Sequence, residues 1–556
     1  MLAGAFTGIV ILIFRIAIDF ILGHWLLPGD SESFELLSHF ERLMLPMIGA
    51  AILGLTLSQL SAKHRRVGVV HVMERLSRHQ GRLPGRNALV QFFGGIFALI
   101  SGFSGGREGP AVHLGAASSS LLGQALELPN NSIRTLVACG TAAAIAGSFN
   151  TPLAGVIFAM EVVMMEYTIA SFIPVIISAV TATVLTRSFI GSEAAFVIAP
   201  VQMNSLLEIP YIILAGVLIG CVASGFNLAV QLFSRLAHWP FWLRALFAGA
   251  ITGLAAITVP EIMGVGYDTV NGAMLGQIGL TTLLAIIVFK TLASAGAVGL
   301  GIPVGLIGPT FVIGAAVGGA LGIVGEMLQP GEAASVGLYV MLGMAAMMAA
   351  VLQAPLASLM AVLELTSNPN LILPAMLIVV VATLVTSVIF KQKSVFLSTL
   401  ETLGLQYPPN PVTLHLQRAG VSAIMNRDVV RLSRHCSIEE ALAVVAESPR
   451  WVVAEIAPGK FRSVVNTADL RIHLDTIRQP DESRTTPADT IDLLGIPALR
   501  LDVADIDYQA TISEAQEALK EPGVEALCVR RTSAPMIRTV LGVITQTDID
   551  NYRDIQ

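Results

Sequence analysis

One carboxylate in this chain stands where a carboxylate is costly. Glu108 lies in Gly106-Arg107-Glu108-Gly109-Pro110, a glycine-proline turn at the head of an apolar stretch. The start of a helix offers N–H groups without partners and the positive end of the peptide dipoles, so it attracts anions. A glutamate held there can occupy an anion's place while ionised and give it up when protonated. Ionisable groups inside apolar spans are rare and usually functional. Arg107 either adds to the positive potential or serves as the structural partner of a nearby carboxylate or carbonyl. His113, one turn beyond Pro110, reads as a structural histidine or as a group that titrates near neutral pH.

The turn is duplicated. Gly-x-x-Gly-Pro-x-x-x-x-Gly-Ala-Ala spans Gly106 to Ala117 and again Gly305 to Ala316, an offset of 199 residues, with Leu306-Ile307 where the first copy has Arg107-Glu108. Gly140-Thr-Ala-Ala, Pro152-Leu-Ala and Glu161 follow the first copy. Gly343-Met-Ala-Ala, Pro355-Leu-Ala and Glu364 follow the second at the same spacings from one another. Repeated halves with interrupted helices are the pattern of a membrane transporter. Glu161 and Glu364, matched in the two halves, read as structural or interface residues.

The composition fits a membrane core with a soluble tail. Hydrophobic residues make up 54% and charged ones only 13%, against about 25% charged in a typical soluble domain, and mean hydropathy is +0.73. Residues 405–556 hold 37 charged side chains, more than the 35 in the 404 residues before them. Apolar stretches predict helices near 5–27, 39–62, 88–103, 110–125, 133–147, 152–165, 170–189, 210–234, 242–259, 279–298, 309–328, 336–350, 355–366 and 371–390. Several are shorter than the roughly 20 residues that cross a hydrocarbon core. Glycine and proline at their ends (Gly109-Pro110, Thr151-Pro152, Gly308-Pro309, Ala354-Pro355) suggest helices broken within the membrane, tolerated where protein or a cavity surrounds them. The first stretch lacks a signal peptide's charged n-region and reads as a retained helix, with Arg15 and Asp19 an i, i+4 structural pair. Seven Lys or Arg against one acid between Lys63 and Arg86 assign that loop, and with it the tail, to the cytoplasm.

In the tail, Phe461–Asp469 and Val540–Asp548 each read as a strand entering a polar turn, preceded by helices at 437–447 and 513–520. The polar stretch 478–498, with Asp481-Glu-Ser-Arg-Thr-Thr-Pro487, reads as a mobile connection. Cys139, Cys221, Cys436 and Cys528 have no metal-ligand spacing, so neither disulfides nor a metal site is expected. No nucleophile–base pair lies in the core, which argues against an enzyme. The isolated core glutamates argue against a channel for hard cations, which take clustered oxygen ligands. The net charge of −6 says little about partners, and no nucleic-acid signature is present.

With Gly106-Arg-Glu-Gly-Pro110, Phe149-Asn-Thr-Pro-Leu-Ala-Gly155 and Gly305-Leu-Ile-Gly-Pro309 in hand, the chain resembles the CLC family of chloride channels and chloride/proton antiporters over nearly its whole length, with two CBS-like units behind. The resemblance implies an all-α polytopic membrane core made of an inverted repeat with broken helices, plus an α+β cytosolic CBS-pair domain. The expected division is 1–404 for the membrane domain (halves about 38–190 and 207–400), 405–418 a linker, 419–477 and 501–556 the CBS-like units, and 478–500 their connection. It further implies a homodimer in a cell inner or plasma membrane, in contact with lipid, with one anion pathway per subunit. Glu108 would be its gate, and Gly106, Arg107, Gly109, Leu306 and Ile307 would line it.

Three positions depart from the family pattern. The serine that contacts the central anion aligns with Val67, next to Gly68. The central tyrosine aligns with Phe396. The inner proton-accepting acid aligns with Val162. A centre without two hydroxyls, and an inner route without its acid, point to gated passive movement of chloride or a similar small anion. The alternative is a proton-coupled antiporter using a different internal acid or water. The proline after Gly109 favours chloride over fluoride. In the tail, Thr545 and Asp548, with Asp469 as a weaker counterpart in the first unit, match the CBS pattern that holds the ribose of an adenine nucleotide. The competing reading of the tail is structural.

Overall fold

The computed structural model describes residues 1–27, 32–191, 208–329, 334–402, 404, 416–457, 459–478, 490–534 and 537–554. Most of the expected linker 405–418 and residues 479–489 of the expected connection lie outside the described residues. The chain divides into two compact units, one of Met1–Leu126 and Ile133–Pro408, the other of Glu127–Ser132 and Pro409–Gln556.

The first unit is a helical membrane domain. Its helices are α1 (Leu2–Ile21), α2 (His39–Ser58), α3 (Gly68–Arg78), α4 (Gly85–Ile100), α5 (Glu108–Ala125), α6 (Asn130–Phe149), α7 (Pro152–Phe158), α8 (Ile169–Ile190), α9 (Ile209–Ser234), α10 (Phe241–Thr258), α11 (Tyr267–Met274), α12 (Leu280–Gly299), α13 (Ile307–Leu328), α14 (Val336–Leu352), α15 (Pro355–Thr366), α16 (Ile372–Leu384) and α17 (Val395–Thr402). A π-helical segment, Ala159–Met164, continues α7. Among the described residues nine helical stretches are long and apolar enough to cross a membrane by length and composition. The short ones are short for a reason visible in sequence: α7 and α15 start at a proline, which supplies a preset φ where no helical N–H is needed.

The repeat governs packing. The third glycine of each motif copy faces a glycine of the following helix. A Cβ on Gly140 would lie 2.0 Å from the carbonyl oxygen of Gly115, and one on Gly343 would lie 2.2 Å from that of Gly314. Small residues thus let α5 meet α6, and α13 meet α14, backbone to backbone, the close approach typical of helices in lipid. α14 is buried along almost its whole length.

The two halves also cap each other. The Glu364 carboxylate accepts from the N–H groups of Leu153 (2.9 Å) and Ala154 (2.7 Å) at the start of α7. The Glu161 carboxylate accepts from Leu356 (3.2 Å) and Ala357 (2.6 Å) at the start of α15. Each acid sits at the other half's positive helix end, where it satisfies two N–H groups that have no partner inside their own helix.

The second unit is α/β. Strands β1 (Val429–Ser433), β3 (Trp451–Ala457), β4 (Lys460–Asn466), β6 (Arg500–Asp507), β7 (Ala526–Ala534) and β8 (Ile537–Thr545) form one sheet in the order β1-β3-β4-β6-β7-β8. β1 is parallel to β3 and β6 to β7, while β3–β4, β4–β6 and β7–β8 are antiparallel. Each half of the tail therefore supplies three strands with the same pairing, joined at β4–β6. The helices Ile438–Glu447 and Ile512–Ala518 start on capping boxes, Ser437 with Glu440 and Thr511 with Glu514. The stretch read as a loose connection contributes β5 (Thr490–Asp492), paired with β2 (His435–Ser437). Arg434 pins it by donating to both carboxylate oxygens of Asp492, at 3.0 and 2.9 Å.

Candidate functional site

The two motif copies meet at their first glycines. Gly106 N–H donates to the Gly305 carbonyl (2.8 Å) and Gly305 N–H to the Gly106 carbonyl (2.6 Å), a two-residue antiparallel bridge. No side chain fits in it. A Cβ on Gly305 would stand 2.5 Å from the Gly109 nitrogen, and one on Gly106 would stand 2.9 Å from the Gly308 nitrogen and overlap the Glu108 carboxylate. The starts of α5 and α13 are thereby held against one another, so the positive ends of two helices converge.

Glu108 lies at that convergence and is wholly buried. Its Oε2 accepts from Gly308 N–H (3.1 Å), an amide of the other half's helix start. Its Oε1 accepts from the Tyr267 hydroxyl (2.9 Å). Both partners are donors, so the arrangement suits the ionised carboxylate. Tyr267 is itself fixed from several sides. Its N–H and that of Asp268 donate to Glu32 Oε2 at 2.8 and 3.2 Å. The fully buried Lys290 donates to the carbonyls of Ile262, Gly264 and Val265 in the preceding loop. The Arg107 guanidinium stacks 5.2 Å from the Tyr267 ring centroid and pairs with Asp19 at 3.7 Å. Asp19 also takes Arg15, at 3.6 Å.

Tyr267 was not among the expected site residues, yet the repeat points to it. Adding the offset of 199 to Gly68, the expected path residue at the start of α3, gives Tyr267 at the start of α11. The same offset carries Gln91 to Lys290, and both are buried clamps. Gln91 Oε1 accepts from Gly68 N–H (2.8 Å) and its Nε2 donates to the Pro303 carbonyl (3.1 Å). Applied beyond the motif, the offset finds both residues.

The two chain neighbours of Glu108 line two cavities. One, of about 290 Å³, is lined by Val67, Gly68, Gly109, Leu306, Ile307 and Phe396 together with Arg65, Arg66 and His71. The structure thus brings six of the expected path residues to one space. Neither Val67 nor Phe396 offers a hydroxyl, and the Gly68 amide is taken by Gln91. The hydroxyls that reach the cavity, those of Ser234, Thr399 and Thr402, each donate to a carbonyl of their own helix. The second cavity, of about 270 Å³, is lined by Arg15, Arg107, Arg187, Asn150 and Tyr267 among others, with no acidic side chain. Arg107 therefore stands in the second space and Gly109 in the first, while Gly106 sits in the glycine bridge between them. Glu108 thus lies in sequence between Arg107, which lines the second cavity, and Gly109, which lines the first.

Val162 is buried in the segment that follows α7, next to the equally buried Val163. His113 is fully buried, and its Nε2 is 2.8 Å from Nδ1 of His71. In the tail, Thr545 donates through both N–H (2.8 Å) and O–H (2.7 Å) to Oδ2 of Asp548. Asp469 lies in the first turn of the helix Thr467–Arg478, after Asn466, whose Oδ1 accepts from Ala468 N–H. The structure joins Thr545 to Asp548 as a local helix cap. Among the described residues no three His, Cys, Asp or Glu gather as a metal site.

Residues 49–387 match the model of the family described as voltage gated chloride channel. The chain is 34% identical over 365 residues to a putative chloride channel protein ClcB-like of Ralstonia nicotianae, covering 64% of this chain and 85% of that one. It is 32% identical over 295 residues to the H(+)/Cl(−) exchange transporter ClcA of Vibrio cholerae, covering 51% of this chain and 63% of the transporter. Among solved structures it is similar in fold to a slow cyanobacterial Cl−/H+ antiporter, with a TM-score of 0.63 and 22% identity over 73% of this chain and 97% of that one.

Proposed function

This chain belongs to the voltage gated chloride channel family, and from that premise we propose that it moves chloride or a similar small anion across a membrane in exchange for protons. Glu108 is both the gate and the proton-carrying group in this reading. The observation that carries it is a fully buried carboxylate, bonded by Tyr267 O–H and Gly308 N–H, whose two chain neighbours line two arginine-bearing cavities. Ionised, Glu108 fills the anion's position and keeps both bonds. Protonated, it loses its charge, and the convergent helix starts are better served by an anion.

The sequence alone favoured passive conduction, and relatives named as exchangers, such as ClcA of Vibrio cholerae, move the preference to coupled exchange. Passive conduction is the second reading, favoured by Val162 where the family has its inner acid. The cavity chemistry suits a weakly held anion, since it offers backbone and arginine but no free hydroxyl. We further propose a pair of such chains in a plasma membrane with the tail in the cytoplasm. The tail, a CBS-like pair, acts as support, because Thr545 and Asp548 engage each other; ATP binding to the full chain would overturn that. Exchange is tested in liposomes: an imposed chloride gradient should drive protons uphill in fixed proportion to chloride. Chloride flux with no proton movement would return the reading to a passive pore.

A further inference from the structure

Val162 leaves open how a proton reaches Glu108 from the side of the larger cavity. His71 lines that cavity, alongside Arg65 and Arg66 of the basic loop assigned to the cytoplasmic side. His71 is nearly buried and His113 is wholly so. Their rings lie 5.1 Å apart between centroids, with His71 Nδ1 and His113 Nε2 at 2.8 Å. The remaining ring nitrogen of His113, Nδ1, is buried with no protein hydrogen-bond partner. A buried polar atom of that kind calls for water. His113 stands five residues along α5 from Glu108, about 7.5 Å of helix rise and roughly 140° around the axis, so a proton passing between them needs water as a bridge.

We propose that His71 and His113 form the inner proton relay of this protein, taking the part that the acid at the Val162 position plays in relatives that have it. The inference rests on the exchange reading above. A proton from cavity water binds His71 at Nε2, and His71 passes its Nδ1 proton to Nε2 of His113. His113 then releases its own Nδ1 proton, through water, to the carboxylate of Glu108. Both rings end neutral, each in the opposite tautomer, and ring rotation resets them for the next proton. Nothing is oxidised or reduced.

Most of the other charged groups on the surrounding elements are engaged, and Arg86 of α4 is exposed. Arg66 pairs with Glu74 on α3, and Arg75 donates to the Arg82 carbonyl. Glu161, on the π-helical segment packed against α3, holds the α15 amides. Glu401 of α17 pairs with Lys393, Arg134 of α6 holds the Leu76 carbonyl, and Arg15 and Asp19 of α1 pair with each other. His79 lies at the far end of α3. The His71–His113 pair is the relay the geometry supplies.

The test uses His113→Gln and His71→Asn, whose amides reproduce the bonded nitrogen of each ring but do not shuttle a proton. In liposomes holding the full chain, chloride flux and chloride-driven proton flux are read separately. Each variant should keep at least half the chloride flux and lose proton flux at least tenfold, raising the chloride-to-proton ratio accordingly. A ratio unchanged in both variants would overturn the relay, as would chloride and proton flux falling together, which marks a structural pair. Wild-type protein that moves no protons fails the exchange reading itself and is recognised before any variant is made.

Discussion

Tyr267→Phe isolates one hydrogen bond to Glu108, the proposed gate. The ring stays, with its stacking against Arg107, and so does the Gly308 N–H bond to the other carboxylate oxygen. Only the 2.9 Å hydroxyl bond to Oε1 is lost. Hydrogen bonds to charged groups contribute about 1.5–3 kcal/mol, and the full burial of Glu108 leaves no solvent to replace the donor. Since about 1.4 kcal/mol is tenfold in an equilibrium, the closed gate should lose roughly 10- to 150-fold in its equilibrium against the open one. Initial chloride efflux from liposomes at neutral pH should then rise by at least several-fold, up to whatever other step becomes limiting. Glu108→Gln run beside it shows how far flux rises when the gate's charge is gone. If that control raises flux while Tyr267→Phe stays within twofold of wild type, the hydroxyl does not latch the gate and the argument fails.

Three further outcomes are expected. Glu108→Gln should abolish the pH response of chloride flux and its coupling to protons; a preserved pH profile would refute the gate. Glu364→Ala leaves two helix-start amides without their carboxylate and should destabilise the protein by about 2–4 kcal/mol, read as an earlier denaturant midpoint in detergent, with Glu161→Ala close behind. In the tail, the hydrogen bonds from Arg434 hold the Asp492 carboxyl down to about 2, below its unfolded value near 4. That pair therefore adds stability above pH 4 and loses it as pH falls toward 2. The stability gap between wild type and Asp492→Asn, small because the pair is exposed, should narrow between pH 6 and pH 3; a widening gap would contradict the sign.

Much of the membrane unit was legible because its signals are local or repeated. Apolar runs ending in glycine and proline mark α5, α7, α13 and α15 closely, and the duplicated turn predicts helix starts that do face each other. What escaped was whatever the hydropathy pattern does not mark. α3 is basic and amphipathic, while α11 and α17 have only eight residues each, so none stands out as a span. Tyr267 and Lys290 act through contacts with residues more than twenty positions away. His113 was read by itself, whereas its meaning depends on His71, 42 residues earlier and across a helix interface. In the tail, β4 and β8 announce themselves by apolar runs before a polar turn. β6 alternates acids with apolar residues, Arg500-Leu-Asp-Val-Ala-Asp-Ile-Asp507, and only its place between β4 and β7 makes it a central strand.

The exchange of carboxylates between Glu161 and Glu364 has a bearing on how such a chain could arise and be assembled. Half of it, made alone, would present two bare amides at a helix start, with no carboxylate of the other half to cover them. A second half, inverted, brings the missing acid and takes the same service in return. The two halves therefore complete each other as separate pieces would, and separately expressed halves should rescue one another.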